Sequence, residues 1–282
     1  MRGQITRIMP HTDKHASLAD RWALVTGASS GIGAEFARAL AARGMHLVLT
    51  ARREDRLREL AEELHRRHAA KTEIIPVDLA DPDGAQKLWA EVEQRGIEIE
   101  ILVNNAGFTV LSELERAPRD RVLDLVRVNV MAVTELTYLA LPQMLKRKSG
   151  AIINVSSLTG FQPVAYMATY AASKAYSLHL SESLWAEARE HGVHVMAVCP
   201  GTTRTELFAI AGVPDWLQKR RSQTPEKVVK SALRALRKKR PVSIPGFRNW
   251  VITLFGRFLP RRRVVLESMR YFRPQGEAGQ QK

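Results

Sequence analysis

Residues 22–33 read WALVTGASSGIG, and residues 34–44 continue as AEFARALAARG. Trp22, Ala23, Leu24 and Val25 form a short apolar run that ends at Thr26 and passes into Gly27, Gly31 and Gly33. The segment that follows is dominated by residues that lose little on entering a helix. A strand, a glycine turn and a helix in immediate succession bring backbone N–H groups and a helix N-terminus to one point. That point can hold a phosphate or pyrophosphate. The glycine spacing is G-x-x-x-G-x-G, which differs from the G-x-G-x-x-G of the common dinucleotide fingerprint.

The same alternation repeats outward from this stretch. MHLVLT (45–50) predicts a second buried strand, and residues 54–68 predict a charged surface helix with Leu57, Leu60, Ala61 and Leu64 on one stripe. TEIIPVDLAD predicts a third strand ending near Asp78, residues 82–94 a helix, and IEILVNNAG a fourth strand with its turn. A long helical region over 121–147 is expected to break near Pro142. GAIINVSS and VHVMAVCPG read as fifth and sixth strands, separated by a helix over 170–191. A helix over 225–239 and the short strand PVSIPG follow. Short apolar strands alternating with amphipathic helices belong to a doubly wound α/β domain, its parallel sheet covered on both faces. Residues 202–224 are irregular, and Leu207, Phe208, Ile210, Val213, Trp216 and Leu217 suit a lid over a crevice.

A chain of 282 residues with 45% hydrophobic content can bury the core of one large domain. It contains no apolar run long enough to cross a membrane and no secretory signal pattern. Residues 1–20 read as a flexible leader. The single cysteine, Cys199, rules out an internal disulfide and suits a cytoplasmic location. The formal charge is +14, unevenly spread: residues 1–218 carry 25 Lys+Arg against 26 Asp+Glu, and residues 219–282 carry 18 against 3. The basic excess therefore belongs to the C-terminal part and not to the body of the domain. No nucleic-acid module accompanies it, so nucleic acid is not an expected partner. No metal site is expected either.

Further motifs stand in order behind the glycine turn: NNAG (104–107), Asn129 within a helix, INVSS ending at Ser157, YAASK (170–174), and PG with Thr205 beyond it. With TGASSGIG they make the chain resemble a classical short-chain dehydrogenase/reductase over residues 22–205, with strand and helix alternation carrying the likeness to 246. The resemblance implies a Rossmann-type sandwich with seven parallel strands in the order 3-2-1-4-5-6-7. It implies Ser157, Tyr170, Lys174 and Asn129 as catalytic residues, Asn129 supporting a water beside the lysine. It also implies hydride transfer between a nicotinamide and a carbonyl or secondary alcohol.

The residues support that chemistry on their own terms. Tyr170 and Lys174 are four apart on a predicted helix and share a face. A phenol with pKa near ~10 is a poor acid–base at neutral pH, and a nearby ammonium favours the phenolate. Ser157 lies past the C-terminal end of a strand, where open α/β sheets bind ligands, and its hydroxyl can polarise a substrate oxygen. Ser156 competes for that role by position; the family spacing to the tyrosine selects Ser157. Cys199 reads as core and not as a nucleophile.

The cofactor is expected to be NADP(H). The second strand ends in Thr50-Ala51-Arg52-Arg53 with no acid for ribose hydroxyls, whereas a guanidinium suits a 2′-phosphate. The turn positions that often carry a second basic residue are Ser29 and Ser30. By resemblance, Gly27, Ser29, Ser30, Gly31, Ile32 and Gly33 hold the phosphates. Asp78 and Leu79 meet the adenine, Asn105, Ala106 and Gly107 form the adenosine-side wall, and Pro200, Gly201 and Thr205 line the nicotinamide side. Tyr170 and Lys174 are also expected to touch the nicotinamide ribose. Asn104 is expected to support the sheet.

Phe108, Phe161, Met167 and the 207–217 loop suggest an apolar small-molecule substrate. Homodimers or homotetramers are expected through 121–147 and 170–191. The chain divides into the leader, a catalytic domain over 21–246 and a basic extension over 247–282. In the extension Trp250, Val251, Leu254, Phe255, Phe258 and Leu259 mark one helical face among arginines. That face can meet a membrane through 247–263, the substrate crevice, or a second subunit. Two competing readings stay open: an alcohol dehydrogenase working oxidatively, and a non-catalytic NADP(H)-binding scaffold recruited to a surface by this helix.

Overall fold

The computed structural model describes residues 18–211, 213, 221–256 and 258–273. The expected leader lies outside these residues up to position 17, as do Trp216 and Leu217 of the expected lid. Chain order begins β1 (Trp22–Thr26), α1 (Gly31–Ala41), β2 (His46–Thr50), α2 (Glu54–His68), β3 (Thr72–Ile74), α3 (Gly84–Gln94) and β4 (Ile99–Asn104). It continues α4 (Arg119–Val126), α5 (Ala132–Arg147), β5 (Gly150–Val155), α6 (Ala168–Ala188), β6 (Val193–Val198), α7 (Leu207–Ile210), α8 (Pro225–Arg237), β7 (Val242–Ser243), α9 (Phe247–Gly256) and α10 (Arg261–Phe272). The seven strands pair in the order β3-β2-β1-β4-β5-β6-β7, all parallel.

Alternation along each strand builds the two cores. Ala23, Val25, Leu47, Leu49, Ile101, Val103, Ile153 and Val155 point to the side covered by α1, α2 and α8. Leu24, Val48, Leu102, Ile152 and Val195 point to the side covered by α3, α5 and α6. In α2 the buried residues are Leu57, Leu60, Ala61 and Leu64, the stripe expected from spacing. Fully burying a side chain such as Phe36 contributes about 1.5–3 kcal/mol.

Several boundaries differ from expectation. Strand β3 ends at Ile74, four residues short of Asp78, because Pro76 has no N–H to continue the ladder. The long helical region is not broken at Pro142, which lies inside α5. The break is a five-residue π-turn, Arg127–Met131, centred on Asn129. Proline is tolerated because the carbonyl one turn earlier belongs to Tyr138, on an exposed face where water can bond it. Among the described residues no helix is long and apolar enough to cross a membrane.

The order reverses between β1 and β4, whose C-terminal ends open a crevice. Thr26 Oγ1 accepts from the amides of Asn105 and Ala106 at 3.0 and 2.9 Å, and Asn105 Nδ2 donates to the Thr26 and Gly27 carbonyls. This lattice joins the ends of β1 and β4. A Cβ on Gly27 would lie 2.8 Å from Asn105 Nδ2 and 2.9 Å from Ala106 Cα, and Gly27 has φ +65°, so only glycine suits the position.

Candidate active site

A cavity of about 2110 Å³ runs along the C-terminal edge of the sheet. Its lining includes the glycine turn, Arg52 and Asp78 at one end and Ser157, Tyr170 and Lys174 at the other. Every cofactor-binding residue expected from the sequence except Gly33 lines it; Gly33 is buried beneath the turn. This exceeds the 300–1,000 Å³ of ordinary small-ligand pockets, leaving room for a dinucleotide and a substrate together.

At the phosphate end, helix α1 opens with Ser30 making no side-chain cap bond and with no acidic residue in its first turn. Its N-terminal amides and dipole therefore favour an anion in the cavity. Arg52 Nη1 lies 3.6 Å from Asp78 Oδ2, while Asp78 Oδ1 accepts from the Ala80 amide at 2.9 Å. Arg53 Nη2 donates to Ser29 Oγ and Ser30 Oγ at 3.1 Å each, and to Glu206 Oε2 at 2.8 Å. Hydrogen bonding to Arg53, and secondarily to Ser30, holds the Glu206 carboxyl below its ordinary range. Thr50 Oγ1 is buried without a partner in the same wall. These donors fit the phosphates and ribose of a nicotinamide dinucleotide.

At the other end, α6 carries Tyr170 and Lys174, and both are buried. Burial pushes the Tyr170 phenol up to about 12, with a hydrogen bond from Ser157 partly opposing the rise. Burial also pushes Lys174 down to about 8. The expectation that the ammonium lowers the phenol is thus overridden within the chain, because desolvation disfavours the charged form of each group. Lys174 Nζ stands 5.6 Å from the Tyr170 ring centre and donates to the Val155 carbonyl at 2.8 Å. Ser157 accepts from the Thr159 amide at 3.2 Å, whereas Ser156 points away and donates to the Lys174 carbonyl at 2.6 Å.

Asn129 projects from the π-turn between two elements. Its Nδ2 donates to the Phe108 carbonyl and to Ser173 Oγ at 3.1 Å, and its Oδ1 accepts from the Phe108 amide at 3.2 Å. A Cβ on Gly107 would lie 2.9 Å from Asn129 Oδ1 and 3.3 Å from Lys174 Nζ, so the missing side chain lets both flank one glycine. Beneath them Asn104 Nδ2 donates to Asn154 Oδ1 at 2.9 Å, and Asn154 Nδ2 to Ser181 Oγ at 2.9 Å. This buried polar ladder fastens β4, β5 and α6 under the site.

Phe108 and Met167 line the cavity as expected, with Val164 beside them. Phe161 does not; it packs with Leu178, Ala197 and Cys199 instead. Of the expected lid, Leu207, Phe208 and Ile210 face the cavity. Sequence reasoning missed Glu206, which directly follows Thr205 and whose carboxylate had no visible partner before folding. Of the places left open for the C-terminal helix, the crevice is one it meets: residues of α9 and α10 line one side of the cavity. The Asn249 amide packs on Gly201, where a Cβ would come within 2.8 Å of it, and Ser268 Oγ accepts from the Ala165 amide at 3.0 Å. Cys199 is buried, with its thiol pushed up to about 12. Among the described residues no group of three or more His, Cys, Asp or Glu is arranged to hold a metal.

The family model for short chain dehydrogenases matches residues 21–212. A very-long-chain 3-oxoacyl-CoA reductase of Bos taurus is 35% identical over 223 residues, covering 76% of this chain and 68% of that protein. The chain spans about half to three quarters of the length of such curated relatives. A solved short-chain dehydrogenase from Sphingobium yanoikuyae in complex with NADPH matches with a TM-score of 0.76 and 32% identity over 92% of this chain and 99% of that one. A bulky-bulky ketone specific alcohol dehydrogenase from Comamonas testosteroni matches with a TM-score of 0.71 and 32% identity, covering 84% and 92%. The glycine turn, the buried serine–tyrosine–lysine group and these matches agree: the chain belongs to the short-chain dehydrogenase/reductase family of oxidoreductases.

Proposed function

We propose that this oxidoreductase uses NADP(H) to reduce the carbonyl of an apolar substrate through residues 21–246, with helices α9 and α10 of the basic extension over 247–282 serving as a cap. The observation that carries the reading is the grouping of Ser157, Tyr170 and Lys174, all buried on the floor of a cavity whose other end offers a free helix N-terminus and Arg52. A bound nicotinamide cofactor supplies the hydride, or takes it up in the reverse direction. Ser157 donates to the substrate oxygen as negative charge develops, and Tyr170 gives up its proton there. A phenol held near 12 is fully protonated at neutral pH, which suits the reducing direction.

Lys174 holds the ribose and, as an ammonium, eases the loss of the Tyr170 proton. Its bond to the Val155 carbonyl keeps it on this side of α6. Asn129 is a positioning residue that fixes the Phe108 loop and α6 around the lysine and can anchor a water there. Arg52 receives the 2′-phosphate, with Asp78 orienting it. The apolar lining and the names of the relatives support bulky ketones or 3-oxoacyl thioesters as the substrate class. Exposed Met131, Tyr138 and Tyr176, near and on the expected interface helices, support a homodimer or homotetramer, and the single free thiol suits a cytoplasmic setting.

The test is NADPH and NADH consumption across ketones graded by apolar size, with Tyr170→Phe and Arg52→Ala beside the wild type. Tyr170→Phe is expected to lower kcat/KM by about 10²–10⁴-fold with cofactor binding retained. Arg52→Ala is expected to weaken NADPH binding by about tenfold and leave NADH unchanged. Normal NADPH binding with no Tyr170-dependent turnover on any ketone overturns the reductase in favour of the scaffold.

A further inference from the structure

Helices α9 and α10 are seated on the domain by a few polar side chains and by Phe272, which packs against the core on the α3, α5 and α6 side. Thr253 and Ser268 are the buried residues of the two helices, and Asn249 and Ser268 make the contacts at Gly201 and Ala165. Much of the apolar face of 247–259 is turned outward. Phe247 is 80% exposed, Phe258 78%, Phe255 63% and Trp250 48%, and Leu254, Leu259 and Leu266 are exposed beside them. Aromatic and aliphatic area on this scale on an otherwise polar surface marks an interaction site.

Arg248, Arg261, Arg262 and Arg263 surround that face and are exposed, and among the described residues none is ion-paired. Phe247, Phe255 and Leu259 lie both in the exposed face and in the cavity lining, so the face is continuous with the cavity mouth. Exposed cationic side chains flanking exposed aromatic ones match the headgroup and upper acyl layers of a bilayer, and they select an anionic one.

We propose that the α9–α10 cap docks on an anionic phospholipid surface and opens the cavity mouth toward it. Docking is a property of the surface alone. The consequence that a bilayer-dissolved carbonyl lipid enters directly from the leaflet rests on the reductase reading above.

The experiment is vesicle co-sedimentation of the full chain, with Tyr170→Phe in parallel so that binding is read independently of turnover. Vesicles are phosphatidylcholine alone or with about 30% phosphatidylserine. Binding is expected to anionic vesicles, at least about tenfold weaker to neutral ones and in about 0.5 M salt. Trp250→Ser/Phe258→Ser and Arg261→Ala/Arg262→Ala change residues outside the cavity lining. Each is expected to lose about tenfold or more of the partitioning with melting temperature and turnover of a water-soluble ketone unchanged. Equal partitioning of wild type and both variants, or no binding to anionic vesicles, overturns the proposal. So does a face that ignores vesicles while the aromatic variant lowers the oligomeric mass, which assigns it to a second copy of the chain.

Discussion

Arg53 and Glu206, 153 residues apart, meet at 2.8 Å across the glycine turn, and the same guanidinium nitrogen holds Ser29 and Ser30. The pair joins β2's end to the segment leading into α7, and Glu206 also lines a second, smaller surface hollow. The pair thus straps the lid segment to the phosphate end of the site.

Both partners are about two-fifths exposed, so the strap contributes no more than about 1 kcal/mol. Glu206→Gln is expected to speed NADPH release by up to about fivefold, since that energy opposes opening. Stopped-flow displacement of NADPH fluorescence measures it. Slower release in the variant would mean that the carboxylate competes with the cofactor's phosphates for Arg53.

Lys174 sits near 8 in the folded chain against its ordinary 10.5. Between these values the unfolded chain binds more protons, so this group makes stability rise with pH across 8 to 10.5. Below pH 8 the penalty for burying the ammonium is fully present. Lys174→Met removes it, on the order of 3 kcal/mol, less about 1 kcal/mol for the lost bond to Val155. Urea unfolding is expected to favour the variant at pH 7 and to favour it less at pH 9.5; an advantage that grows with pH refutes the assignment.

A Cβ at position 33 would lie 2.2 Å from the Gly27 carbonyl oxygen and 2.4 Å from Asn105 Nδ2. Neither is the free end of a flexible chain, so the turn itself must shift. Gly33→Ala is expected to cost about 1–3 kcal/mol in urea unfolding and to abolish measurable NADPH binding by calorimetry.

Cys199 is fully buried and its thiol lies near 12. A thiol-reactive disulfide reagent is expected to leave it untouched for hours in the native protein and to label one equivalent in guanidinium. Rapid native labelling with loss of activity would overturn the reading of Cys199 as a core residue.

The path from sequence to structure was open wherever the signal is local. Short continuous apolar runs place β1, β2, β4, β5 and β6, and the stripe in α2 is reproduced residue for residue. The glycine turn, Ser157 and the Tyr170–Lys174 pair are legible because a turn, a strand end and an i,i+4 spacing carry them within a few residues. The π-turn at Asn129 was not legible, since what stabilises it is a bond to Phe108 and Ser173, 21 and 44 residues away. Burial of the site, set by packing from both sides of the sheet, reversed the expected direction of the Tyr170 shift.

Periodicity identified the apolar stripe of the C-terminal helices but not its orientation. An amphipathic pattern states that two faces differ, and solvent or lipid on one side and protein on the other are equally consistent with it. The tertiary contacts of Asn249 with Gly201, Ser268 with Ala165 and Phe272 with the core seat these helices and leave much of the aromatic face exposed. Sequence alone therefore determined the order of elements and the chemical groups they carry. Which groups meet, and how far water is kept from them, was decided by long-range packing, because desolvation and contact across the fold depend on residues that no local spacing brings together.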